Sequence, residues 1–229
     1  HLTFAEHEPL DDAEEREQKE ILRDHWGNWM ECKQLLSRSH RRSIVTYLCD
    51  HPTDFKRAWE CVNGDLRGLF LSALQSDIWN QIVSDRFQNV CPADQLTTFS
   101  LRTGPVRVPV QLDPEIKSRL WKEHCPLPSG RLQLEDFPDP QQTEQTLTRL
   151  GWKLRDLKVK FPRDRFFSRS RRPVMIPVSD LSGDFASDEL DAGGRNRLTL
   201  RFTLPRGAYA TMVVKRLLLD EQQEASNDF

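Results

Sequence analysis

Apolar residues recur every three or four positions through the first ninety residues, then give way to alternating and proline-broken runs. The clearest repeat is Leu71, Leu74, Ile78 and Ile82, widened by Phe70, Ala73, Trp79 and Val83. This stripe predicts a helix over Arg67–Phe87 with one face in a core. The polar residues set into it (Ser72, Gln75, Ser76, Asn80 and Gln81) are expected to form a seam whose buried amides find internal partners. Upstream, Ile21, Leu22, Trp26, Trp29 and Met30 predict a helix over Asp11–Met30, interrupted at Gly27-Asn28, with early acids suited to a helix N-terminus. Arg41–Cys49 is the next apolar run, stopped at His51-Pro52, and Thr53–Cys61 predicts a further short helix. The first third is therefore a series of helices.

Prolines at 92, 105, 109, 114, 126, 128, 138 and 140 exclude long helices from the middle of the chain. Val106–Val108 and Leu132–Leu134 alternate like short strands, Gln141–Leu150 predicts a helix ended by Gly151, and Val174–Val178 predicts a strand. Ser182–Gly194 has the composition of a polar loop. Arg197–Leu204 alternates strictly, which sends Leu198, Leu200, Phe202 and Leu204 towards a core. Pro205-Arg206-Gly207 turns into an apolar helix over Met212–Leu219, and Glu221–Phe229 is expected to fray. The fold class expected is α+β.

With 229 residues the chain can form one large domain or two small ones. Its 33 basic and 35 acidic residues nearly cancel, so net charge selects no partner. The distribution is uneven. Residues 1–20 hold eight acids, whereas Lys160–Arg172 holds six bases against Asp164 alone. Such a basic segment can bind a polyanion locally, or can simply be a solvated loop. His40-Arg41-Arg42 is a smaller candidate, more in keeping with an ordinary helix start. No run approaches the ~20 apolar residues of a membrane span. The five cysteines form no C-x-x-C pair, and Cys32, Cys49 and His51 lack the tight spacing of a zinc site; reduced thiols, no metal and a cytoplasmic setting are expected. No P-loop, nucleophile elbow, dinucleotide fingerprint or zincin helix is present.

Two segments go further. Leu69–Gln81, with Leu71-Ser72-Ala73, Ser76 and Trp79-Asn80-Gln81, resembles a helix motif of the TruD family of tRNA pseudouridine synthases. Leu204-Pro205-Arg206-Gly207-Ala208-Tyr209-Ala210-Thr211 resembles that family's closing strand–turn–helix. His25–Trp29 and Arg163–Phe167 are similar to weaker family segments, and the order holds along nearly the whole chain. The family's G-x-K-D motif, with its catalytic aspartate, and its N-Y-F-G-x-Q-R-F-G motif do not occur here.

The resemblance implies the C-terminal portion of such an enzyme. A mainly helical and mixed insertion domain over 1–185 would be followed, over 186–229, by the closing strand and helix of an antiparallel-sheet catalytic domain. Because the chain starts at His1 rather than methionine, it is expected to be a piece of a longer protein. No aspartate present here inherits the nucleophile role; that residue is expected upstream. The reaction implied is cofactor-free isomerisation of a uridine, by family the thirteenth in tRNA, after the base leaves its stack. Gly207, Tyr209, Thr211 and Asn80 are expected to line the uridine pocket. Arg163, Arg165, Arg169, Arg171 and Arg172, interleaved with Phe166 and Phe167, are expected to hold RNA through phosphate neutralisation and stacking. The rival reading is a non-catalytic RNA-binding or interaction module derived from the family.

Overall fold

The computed structural model describes residues 11–101, 103–158, 167–187 and 196–219. They fall into two compact units. One is built on the described residues up to Gln75 with Lys158 and Phe167, the other on Ser76–Leu157 and the described residues from Ser168 onward.

In the first unit, helix α1 (Ala13–Asp24) starts at Asp12, whose carboxylate accepts the Glu15 N–H at 2.8 Å. Glu14 and Glu15 in its first turn face the positive end of the helix dipole. The interruption read from Gly27-Asn28 is real. Gly27 takes a φ of +97°, and the Asn28 side chain then caps α2 (Trp29–Leu35) through the Glu31 N–H. Ser39 and Asp54 cap α3 (His40–Asp50) and α4 (Phe55–Glu60) in the same way. Leu22, Trp29, Cys32, Leu36, Val45, Leu48 and Ala58 close the core. Trp29 buries its ring while its indole N–H donates to the Pro52 carbonyl at 3.1 Å, so no polar atom is lost. Arg41 is buried against Glu15 through two hydrogen bonds, and Arg42 Nε donates to the Lys33 carbonyl. His40-Arg41-Arg42 thus serves the helix bundle.

Helix α5 (Gly64–Val90) is longer than its stripe predicts, because Asn63 Oδ1 accepts the Asp65 and Leu66 N–H groups and extends the start. Its second half supplies Ile78, Ile82, Val83 and Phe87 to the core of the second unit. There, β1 (Leu96–Leu101) and β2 (Gly104–Pro109) form an antiparallel hairpin, and α6 (Pro114–Lys122) leads into β3 (His124–Pro126). Helix α7 (Pro140–Arg149) ends where the sequence predicts: Gly151 has a φ of +76° and the Trp152 N–H returns to the Leu147 carbonyl. Gln142 and Thr146 tie α7 to α5, the first by donating to the Ile82 carbonyl and the second by donating to Asp85 at 2.6 Å.

Three local expectations fail. Leu132–Leu134 is not a strand; a 3₁₀ turn spans Leu134–Asp136, closed by Asp136 accepting the Gln133 N–H. The strand read at Val174–Val178 lies earlier, as β4 (Arg171–Pro173). The Ser182–Gly194 loop is in its described part a strand, β5 (Ser179–Ser187), paired with β6 (Asn196–Thr203). All nine residues of β5 are exposed, so no burial pattern disciplines their polarity. Pairing with β6 makes the strand.

Candidate functional site

The basic segment enters the described structure at Phe167; Arg163, Arg165 and Phe166 lie outside the described residues. From there the chain joins β3. In the antiparallel register Pro126 faces Arg171, Cys125 faces Arg172 and His124 faces Pro173. The Leu127 N–H to Ser170 carbonyl bond (2.9 Å) and the Val174 N–H to Glu123 carbonyl bond (3.1 Å) extend the pairing at both ends. Arg169 is exposed. Arg171 is exposed as well, with Nη2 on the His124 carbonyl at 3.1 Å. Arg172 is half-buried: its Nη1 donates to Ser76 Oγ at 3.5 Å and its guanidinium lies 5.9 Å from the centre of the Trp79 ring.

Among the described residues none of these three arginines pairs with a carboxylate. Arg86, Arg149 and Arg201 do, with Glu123 and Asp139, Asp85, and Asp184 respectively. Arg42 and Arg216 bond backbone carbonyls instead, as Arg171 does, so Arg171 and Arg172 are two of several described arginines whose charge no described carboxylate offsets. Asn80 sits half-buried on α5, one position after Trp79. Reading Trp79 as a plain core residue missed its ring's contact with Arg172, because helical periodicity cannot show what a ring faces.

The second cluster is the turn after β6. The Ala208 N–H returns to the Pro205 carbonyl at 3.1 Å, and Gly207 has a φ of +89°. A Cβ built there would meet nothing within 4 Å. Gly207 is therefore required by left-handed backbone, not by crowding. Helix α8 (Ala210–Leu217) follows without a side-chain cap; Tyr209, just before it, is 61% exposed, and Thr211 is exposed too. The helix is anchored elsewhere. Lys215 lies 5.5 Å from the Phe99 ring centre, Arg216 donates to the Val110 carbonyl, and Leu219 packs with Phe99 and Val106.

The alternation of β6 meets a different fate from the one expected. Leu200, Phe202 and Leu204 are half-buried, but Leu198 is 51% exposed and Phe185, its partner across the hairpin, 72%. The described β5–β6 sheet has two strands only, so one apolar face lacks a covering layer among the described residues.

No group of three metal-ligating side chains occurs among the described residues, and no described helix is long and apolar enough to cross a membrane. The five cysteines are free thiols. Burial pushes the Cys125 thiol up to about 12. Because folding favours its neutral form, the stability it contributes is full below the ordinary thiol value of 9.0 and is lost as pH rises towards about 12. Iodoacetamide at mildly alkaline pH should therefore label exposed Cys61 first and spare Cys125 until unfolding. Peptide mapping that found native Cys125 labelled as fast as Cys61 would contradict this.

The sequence model of the family described as tRNA pseudouridine synthase D (TruD) matches residues 2–217. A probable tRNA pseudouridine synthase D 1 of Methanococcus maripaludis is 28% identical over 207 residues, covering 87% of this chain and 51% of that protein. A tRNA pseudouridine synthase D of Leptospira interrogans is 29% identical, covering 92% and 52%. The chain thus spans about half the length of the curated relatives it matches. The crystal structure of a putative TruD of Methanosarcina mazei aligns with a TM-score of 0.63 at 23% identity, over 94% of this chain and 52% of that one, a likeness of fold. The model's match runs through both the α5 motif and the turn at Gly207, and on that extent of agreement the chain belongs to the TruD family of tRNA pseudouridine synthases.

Proposed function

We propose that these 229 residues work as the C-terminal portion of a tRNA pseudouridine synthase, holding tRNA while an aspartate in a G-x-K-D motif outside them attacks the uridine. In this reading the insertion domain ends before β5, a few residues earlier than the 185 expected from sequence because β5 pairs with β6 along its length, and the hairpin with the residues after it completes the catalytic domain. The observation that carries it is the β5–β6 hairpin. An isolated two-stranded hairpin is marginal in water, and this one exposes Phe185 and Leu198 on one face. A larger sheet or a packed layer supplied by the rest of a catalytic domain would cover that face. Gly207, Tyr209 and Thr211 then lie at the end of the strand that joins it, where uncapped α8 amides and an exposed aromatic ring suit an unstacked base. Asn80 is proposed as a further pocket residue. The uncompensated arginines of β4 and the basic residues before them take the phosphates. With tRNA as substrate, the setting proposed is the cytoplasm.

The 229-residue chain alone should form no pseudouridine in unmodified tRNA, whereas a polypeptide joining it to an aspartate-bearing upstream half should form it at one site. Carbodiimide-adduct primer extension reads both. A robust stop with the chain alone, or none with the joined protein, would sink the proposal.

A further inference from the structure

Ser76 and Trp79 lie in the α5 motif, and nothing in the reading above uses them. In the fold they meet Arg172, which comes from a strand 96 positions away in sequence from Ser76. The meeting is fixed from two sides. The Trp79 indole N–H donates to the Cys125 carbonyl at 3.1 Å, and Cys125 is the strand partner of Arg172. The same pair of backbone residues therefore locates both the ring and the arginine whose guanidinium lies over it, 5.9 Å from its centre. We propose that Trp79 and Ser76 are positioning residues that hold Arg172 ready for an RNA phosphodiester, an inference that rests on the RNA-binding reading.

The chemistry supports a phosphate. A guanidinium has five N–H donors and no acceptor, and Ser76 Oγ takes one of them. The hydroxyl and the ring are both neutral, so they orient the cation without cancelling it. Arg86 is the contrast, since Glu123 and Asp139 neutralise it. A free arginine side chain loses rotamer freedom when it binds; one already laid on a ring has less to lose. Exposed Arg169 and Arg171 on the same segment extend the positive track beside it.

The test measures unmodified tRNA binding to the 229-residue chain by fluorescence anisotropy across a salt series. Arg172→Gln should weaken binding and flatten the log–log salt slope by ~0.7–0.9, one phosphate contact. Trp79→Leu should weaken binding about 3- to 10-fold at low salt, as loss of a ring–cation contact allows. Made on top of Arg172→Gln, it should cost nothing further, because the arginine it positions is gone. Trp79→Phe keeps a ring and should retain most of the affinity. Equal losses in both backgrounds would overturn the inference while leaving RNA binding intact, as would Trp79→Leu with wild-type affinity and slope. A wild-type chain with no affinity for tRNA would instead bring down the RNA-binding reading and this inference with it. Should Trp79→Leu not fold by circular dichroism, Ser76→Ala decides the question in the same cycle: a loss confined to the Arg172 background supports the clasp, and an equal or absent loss overturns it.

Discussion

Arg86→Met should lose about 3 kcal/mol of stability, read as a fall in the urea midpoint, and should leave the helical content of the remaining native fraction unchanged. Arg86 is the ion pair centre of the second unit. Its Nε and Nη2 each donate at 3.0 Å to the two Glu123 oxygens, and Nη1 donates to Asp139 at 3.4 Å. Those hydrogen bonds with Glu123 raise the guanidinium pKa above its ordinary value. Glu123 closes α6 and Asp139 opens α7, where its other oxygen caps the Gln142 N–H, so one arginine from α5 joins two helix ends. The side chains of Arg86 and Glu123 are only 16% and 12% exposed. Removing the cation leaves a carboxylate with little water and no partner, which is why truncating one side costs more than the pair itself contributes. Arg86→Met combined with Glu123→Leu should therefore recover part of the loss. A double variant no better than the sum of the singles would show that the pair is not coupled.

In a catalytically complete protein containing this chain, Gly207→Ala and Gly207→Val should both lower turnover by tenfold or more while changing tRNA affinity little. The structure decides the ordering that sequence leaves open. Close approach of a neighbour would make alanine the milder change. Instead the φ is +89° and the space around a Cβ is empty, so any L side chain is strained and alanine is nearly as harmful as valine. The strain is worth about 1–3 kcal/mol, and relaxing it would move Tyr209 and Thr211 away from where the strand places them. Wild-type turnover and melting temperature in Gly207→Val would take the turn out of the active site. A mild alanine and a severe valine would instead mean that the left-handed turn is not maintained.

Much of this was legible because its causes are local. Helix α5 follows from its three-and-four stripe, the break after α1 from Gly27-Asn28, the end of α7 from Gly151, and β6 from its alternation. Each depends on residues within one or two turns of one another, and caps and φ signs are set at that range. The family motifs were also readable as strings. Alternation misleads at Leu132–Leu134, too short to make a strand, and its absence hides β5, which is exposed throughout and polar or glycine apart from Leu181, Phe185 and Ala186, the composition of a loop.

The sequence by itself determined most of the helices, the breaks at Gly27 and Gly151, the β6 strand and the kinship, since these need only neighbours along the chain. Tertiary structure alone decided what they meet. It placed β4 beside β3, set Arg172 over Trp79, gave Arg86 the acids that cap two different helices, and left Leu198 of β6 exposed. Pairings across such separations depend on which surfaces remain unsatisfied once the local elements have formed. No periodicity within a single segment records that competition.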